Sequence, residues 1–90
     1  MYRTKHFRDK IGHITVNYYK SRNKNKKWCM THKNKEICWG HPDMQDYTQH
    51  HDKIRRKNFR RRFSGILLKD GSRAIDKRYS PAWLAYYVTW

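Results

Sequence analysis

Two cysteine–histidine steps, Cys29-x2-His32 and Cys38-x2-His41, carry four residues of the types that hold zinc. Zinc requires such ligands to converge tetrahedrally. The neighbouring residues argue against convergence. Trp28-Cys29-Met30-Thr31 and Glu36-Ile37-Cys38-Trp39 read as two short strands folded about Lys33-Asn34, which opposes Met30 to Ile37, Cys29 to Cys38 and Trp28 to Trp39. On that hairpin the two sulfurs are neighbours, but each histidine stands three residues on and faces away. No glycine lies inside either step to form a knuckle. The expectation is a pair of small apolar side chains facing across strands, with no metal and no cofactor. A disulfide is the alternative, set against the rule that intracellular thiols stay reduced.

His50-His51-Asp52 also invites a catalytic role. Adjacent histidines on a helix point about 100° apart and do not easily serve one site, so surface or capping roles are expected. The chain has no glycine-rich phosphate loop, no nucleophile motif and no paired carboxylates, and no catalytic residue is assigned.

The dominant chemical signal is cationic. Lys53, Arg55, Arg56, Lys57, Arg60, Arg61 and Arg62 crowd into ten residues with only Asp52 spaced to pair along a helix, at i,i+4 with Arg56. These seven are the candidate contacts for a polyanion or an acidic partner. Phosphate contacts of this kind position a protein without reading sequence. Phe59 and Phe63 form the only apolar stripe of the same helix, and Trp83, Tyr87 and Trp90 recur at helical spacing near the C-terminus. These five aromatics are expected to be core or interface, rather than the base-stacking platform that such rings can also make.

The elements that must position these residues follow from local pattern. Residues 1–10 are polar and read as a basic arm. Ile14 to Tyr19 alternates apolar and polar as a half-buried strand does. A basic loop over Ser21–Lys26 precedes the Cys-bearing hairpin, and Gly40-His41-Pro42-Asp43 ends the sheet. Thr48 is placed as the cap of a helix that runs to Ser64 and stops at Gly65. Ile66–Leu68 is a short extended piece before a turn at Lys69–Ser72. Ser80-Pro81 opens a last helix to Trp90, with serine as cap and proline at its first position. About ten residues is too short for an isolated helix, so its aromatic side must dock.

Ninety residues make one domain, and 22 Lys+Arg against 7 Asp+Glu give a formal net charge of +15. Charge so uneven points to a partner that supplies the negative side. An aromatic content of 16% argues for a folded core rather than disorder. No stretch approaches the length of a membrane-spanning helix, and the first ten residues have no apolar run of a signal peptide, which suggests an intracellular protein or one carried by a particle.

The ordered set Asp46-Tyr47-Thr48, His50, Asp52-Lys53, the basic run through Phe59 to Arg62, and the segment Tyr79-Ser80-Pro81-Ala82-Trp83 through Trp90 resembles a family of short basic proteins of nucleocytoplasmic large DNA viruses. The resemblance covers the second half of the chain and weakly includes Ile37–Gly40. Tyr87 and Thr89 depart from its pattern, as does the longer Ser64–Arg78 connection. It implies a virion component, a minor structural protein of shell or core, found in virions and in the host cytoplasm or virus factory during assembly. The partners it implies are viral structural proteins, the major capsid or other minor proteins, and it adds no catalytic residues. The sequence thus predicts a single α+β domain: a two- or three-stranded antiparallel meander, a basic helix and a short aromatic C-terminal helix. Its expected function is non-enzymatic and structural. The alternative is a nucleic-acid-binding protein that packages DNA without sequence preference.

Overall fold

The computed structural model of the protein describes residues 2–90. Strands β1 (Arg3–Arg8), β2 (His13–Lys20), β3 (Trp28–His32) and β4 (Lys35–Trp39) form an antiparallel sheet in the order β1-β2-β3-β4. Helices α1 (Tyr47–His50) and α2 (Lys53–Ser64) follow, then a 3-10 turn at Ala74–Asp76, helix α3 (Pro81–Leu84) and a π-helical turn at Ala85–Thr89. The expected two or three strands are therefore four. The basic and aromatic helices, each expected to be continuous, are each divided.

The extra strand is the segment read as a basic arm. The Asp9 carboxylate accepts the N–H groups of Ile11 and Gly12 at 2.9 and 3.0 Å, and Asp9 N–H donates to the Gly12 carbonyl at 3.0 Å. That turn folds residues 3–8 back on β2, pairing Arg3 with Tyr18, Lys5 with Val16 and Phe7 with Ile14. Side chains alternate along a strand, so Arg3 and Lys5 stand on the core-side face of the sheet. Cations at those positions hide the strand from apolar periodicity. Arg3 covers the Trp28 ring, its guanidinium 4.8 Å from the centroid, and so shields the sheet edge.

The β3–β4 hairpin turns on Lys33 and Asn34, both left-handed with φ of 50° and 65°. Two consecutive left-handed residues match the right-handed twist of the strands. The register opposes Trp28 to Trp39, Cys29 to Cys38 and Met30 to Ile37, as the sequence spacing requires. Cys29 and Cys38, expected as cross-strand neighbours with a disulfide as the alternative, are joined by a disulfide, with Cα atoms 4.0 Å apart. Direct opposition in the register brings the sulfurs together, whereas redox state has no signature in residue spacing.

Asp46, not Thr48, caps α1. Its carboxylate accepts from Thr48 N–H, and the Gln49 side chain reaches back to Asp46 N–H at 3.1 Å, a reciprocal capping box. The same carboxylate takes the Trp28 indole N–H at 2.8 Å and lies 3.8 Å from the buried Lys27 ammonium. This ties the helix start to β3. His51 then adopts a left-handed conformation, φ 53°, and ends α1. Asp52 restarts the helix by accepting from Ile54 and Arg55 N–H. Asp52 is thus a cap rather than a residue within a helix.

The core lies between the inner face of the sheet and the C-terminal helical segment. Val16, Tyr18, Trp28, Met30 and Trp39 pack against Trp83, Leu84, Ala85 and Val88. Trp83 and Leu84 are fully buried. Leu84 and Val88 lie off the aromatic side that the sequence singles out, because this segment is covered on more than one side. Ser80 caps α3 through its side chain, which accepts from Trp83 N–H at 3.1 Å.

A second role of Asp9 fastens the two ends of the domain. Arg78 grips its carboxylate through two N–H groups at 2.6 and 2.8 Å, and the Trp83 indole N–H adds a third contact at 3.0 Å. The Asp9 side chain is only 3% exposed. The Arg78 guanidinium, reinforced by the Gly12, Ile11 and Trp83 N–H groups against the cost of burial, holds the Asp9 carboxyl well below the usual carboxylate range.

Two outcomes follow for stability. Trp83→Ala removes a fully buried indole and should cost about 3–5 kcal/mol, read by chemical denaturation. Asp9→Asn should cost about 1.5–3 kcal/mol at neutral pH, the range for hydrogen bonds to a charged group. Because the folded value lies below the unfolded one, this stabilisation is complete above the unfolded carboxyl value of about 3.9. It disappears as pH falls below that value toward the folded one. Denaturation midpoints across pH should show an acid limb that is flatter in Asp9→Asn, and identical limbs would remove Asp9 from this role.

Candidate polyanion- or partner-binding surface

The seven cations of α2 do not form one uniform face. Arg56 Nε donates to the Trp90 carbonyl at 2.6 Å, and Arg60 donates to the Tyr86 carbonyl at 2.9 Å. Carbonyls in the last turn of a helix have no partner within it, so these two arginines cap the C-terminal segment from outside. Each also covers a ring: Arg56 lies 5.0 Å from the Tyr47 centroid and Arg60 3.9 Å from that of Tyr86. Both are half-buried, whereas Lys53, Arg55, Lys57, Arg61 and Arg62 are exposed.

None of the seven has a carboxylate within ion-pair distance among the described residues; the four ion pairs join Lys10 and Arg73 to Asp76, Lys27 to Asp46, and Arg78 to Asp9. The expected Asp52–Arg56 pair does not form, because Asp52 spends its carboxylate on backbone N–H groups and Arg56 turns to Trp90. Lys53, Arg56, Lys57 and Arg60 line one shallow cleft of about 300 Å³. Fixed arginines thus sit beside free lysines and concentrate positive potential where water has ready access.

The aromatic candidates pack in two groups. Phe59 is stacked between Phe63 and Trp90, at 4.0 and 4.1 Å between centroids. Tyr87 stacks on Phe7 at 5.6 Å, and the same Phe7 lies 5.3 Å from Trp83. The two phenylalanines and two arginines of α2 therefore bind the same C-terminal segment, one pair by dispersion and the other by hydrogen bonds.

The Cys–His set does not converge. His32 stacks on Tyr79 at 3.6 Å, and His41 Nδ1 accepts Asp43 N–H at 3.2 Å. The one potential ligand near the sulfurs among the described residues is Glu36, which accepts a hydrogen bond from the Tyr19 hydroxyl. That carboxylate, as acceptor, pushes the Tyr19 phenol up. With both sulfurs in a disulfide the group offers no thiolate. His50 Nδ1 accepts Asp52 N–H at 2.8 Å, and its ring lies 5.0 Å from Trp90. Burial, helped by the nearby Arg55, pushes the His50 imidazole below its usual value and favours the neutral ring. His51 serves the helix break, so the two histidines do not share a site.

Sequence reasoning missed Asp9, Asp46 and Arg78. Asp46-Tyr47-Thr48-Gln49 carries a capping-box pattern with aspartate in place of serine or threonine, a signal that could have been read. Asp9 and Arg78 stand 69 residues apart, and no local pattern links them.

The geometry defines a small α+β domain that presents a cationic helix clamped to an aromatic core. The chain belongs to DUF5754, a family of unknown function, whose model matches residues 16–63. The matched region runs from within β2 almost to the end of α2. It takes in the disulfide hairpin and all seven candidate cations. No curated protein matches the chain, and no solved structure does.

The division within α2 has a direct consequence. Arg60→Ala should lower stability by about 1.5–3 kcal/mol, since a charged donor is lost and a carbonyl is left without its partner. Lys57→Ala, three residues away, should stay within about 0.5 kcal/mol. Urea midpoints of the two variants check the distinction, and equal effects would refute it.

Proposed function

We propose that the protein is a small, basic, non-enzymatic structural component of a large DNA virus particle that docks through α2 on an acidic surface of shell proteins. The observation that carries this reading is the set of five exposed α2 cations without an acidic partner among the described residues, on a helix held to the core by Arg56 and Arg60. A rigid helix bears the free charges, so docking orders side chains without ordering backbone. The resemblance to virion proteins supplies the particle, and the net charge of +15 supplies the preference for an acidic counterpart. No helix is long and apolar enough to cross a membrane among the described residues.

A second reading, packaging of nucleic acid without sequence preference, draws on the cleft of Lys53, Arg56, Lys57 and Arg60. Four cations around one shallow opening suit a phosphate as well as a carboxylate.

Nuclease treatment of opened particles separates the two. A shell component should remain with the capsid at fixed stoichiometry after the genome is digested, and release with the nucleotides would establish the packaging role instead. In purified form, Lys53→Glu, Lys57→Glu and Arg61→Glu together should weaken binding to poly-glutamate at least tenfold. They should also reduce its salt dependence, as expected when exposed charges carry the contact. Unchanged affinity and salt dependence would remove α2 as the docking surface.

A further inference from the structure

Between α2, the C-terminal segment and the loop after β4 lies a groove of about 510 Å³. Its walls include Trp39, Phe59, Phe63, Ala82 and Trp90, and Lys26 and Arg62 stand among its polar residues. The volume falls within the range of sites that enclose a ligand or a side-chain cluster. Met44 and Ile66, also in the lining, are 53% and 42% exposed, so apolar surface continues to the mouth.

The charges around the groove define what can enter. Lys27 is spent on Asp46 and Gln49, and Asp46 is spent on Lys27, Trp28 and the α1 cap. Lys26 and Arg62 have no ion-pair partner among the described residues. Both are exposed, and the Arg62 guanidinium lies 5.8 Å from the Phe59 centroid. An apolar trough beside two free cations is complementary to an aliphatic side chain flanked by carboxylates. A second copy of the chain fits poorly, since each copy carries +15. A nucleobase also fits poorly. Phe59 already stacks on both Phe63 and Trp90, and His50 packs on Trp90, so much of the ring surface in the trough is already paired within the chain.

We propose that this groove receives an aliphatic side chain from an acidic segment of a partner protein, with carboxylates on either side of that residue meeting Lys26 and Arg62. The proposal rests on the reading that the chain docks on an acidic protein surface, and it adds an apolar anchor to that charge-driven contact. α2 provides both parts: Phe59 and Phe63 toward the trough, and Lys53, Lys57 and Arg61 among its exposed cations.

The test uses two fluorescent acidic peptides of Asp and Glu, identical except for a central leucine or serine. Affinity is read by anisotropy, and the Trp39 and Trp90 indole N–H signals by NMR. The leucine peptide should bind about tenfold more tightly or better, from burial of one aliphatic side chain, and should shift both indole signals. Ala82→Leu, which narrows the trough, should reduce the difference between peptides. Ile66→Asp, at a lining position that is 42% exposed, should do the same and serves if the first variant fails to fold. Arg62→Glu should weaken both peptides. Equal affinity of the two peptides, with no indole shift, would overturn the groove while leaving acidic docking by α2 intact. Failure of both peptides to bind would overturn the groove and the docking reading together. Tighter binding of oligo-dT than of the leucine peptide, with the same indole shifts, would assign the groove to bases and overturn the proposal.

Discussion

The buried carboxylate of Asp9 joins the first β-hairpin to the C-terminal helical segment. It closes the turn that creates β1, takes the Arg78 guanidinium that ends the long connection after α2, and receives the indole N–H of Trp83 at the centre of the core. A carboxylate with so little solvent is tolerable only when its oxygens are saturated with donors, and here they are. The cost of burying one charge is offset by an arginine and an indole that would otherwise need partners of their own. The node also explains how a chain with few acids keeps a defined fold. Asp9, Asp46 and Asp52 each occupy a structural junction, and the excess of positive charge lies elsewhere, on exposed side chains.

The cations of α2 show the same economy. Arg56 and Arg60 saturate carbonyls at the end of the chain while their guanidinium groups lie over tyrosine rings. The flat, multidentate arginine head can serve a carbonyl and a ring together, which the compact lysine ammonium does less well. The two lysines of the helix remain in solvent. One short helix therefore joins the core to the exposed cationic surface, and the apolar groove opens beside it. Exposed positive charge and an apolar groove are adjacent on this chain.

Much of the local structure was legible in the residues themselves. The β3–β4 register followed from the symmetric placement of Trp28, Cys29 and Met30 against Ile37, Cys38 and Trp39, because period-two alternation admits one pairing about Lys33-Asn34 that keeps the tryptophans together. The start of α3 at Ser80-Pro81 followed from capping chemistry, which acts within three residues. The division of the basic helix did not emerge, although Asp46 and Asp52 both carry cap chemistry. His51 had to be left-handed for both caps to act, and conformation at a single histidine is not written in its type. The first strand was hidden for another reason. Arg3 and Lys5 occupy core-side positions at a sheet edge where a ring and solvent accommodate them, so composition reads as a loop while the backbone pairs as a strand.

By itself the sequence determined the excess of positive charge, the seven cations gathered on one helix, the pairing of the hairpin and the need of the C-terminal aromatics for burial, because each depends on residue type and short-range spacing. Tertiary structure alone decided which arginines are spent and which are free, how Asp9 meets Arg78, and that Phe59, Phe63 and Trp90 stack beside a groove. Those contacts join residues separated by tens of positions, and their geometry comes from packing elements together rather than from any periodicity along the chain. The disulfide stands between the two: the register that opposes Cys29 to Cys38 is local, but the bond also requires an oxidising step that residue order does not encode.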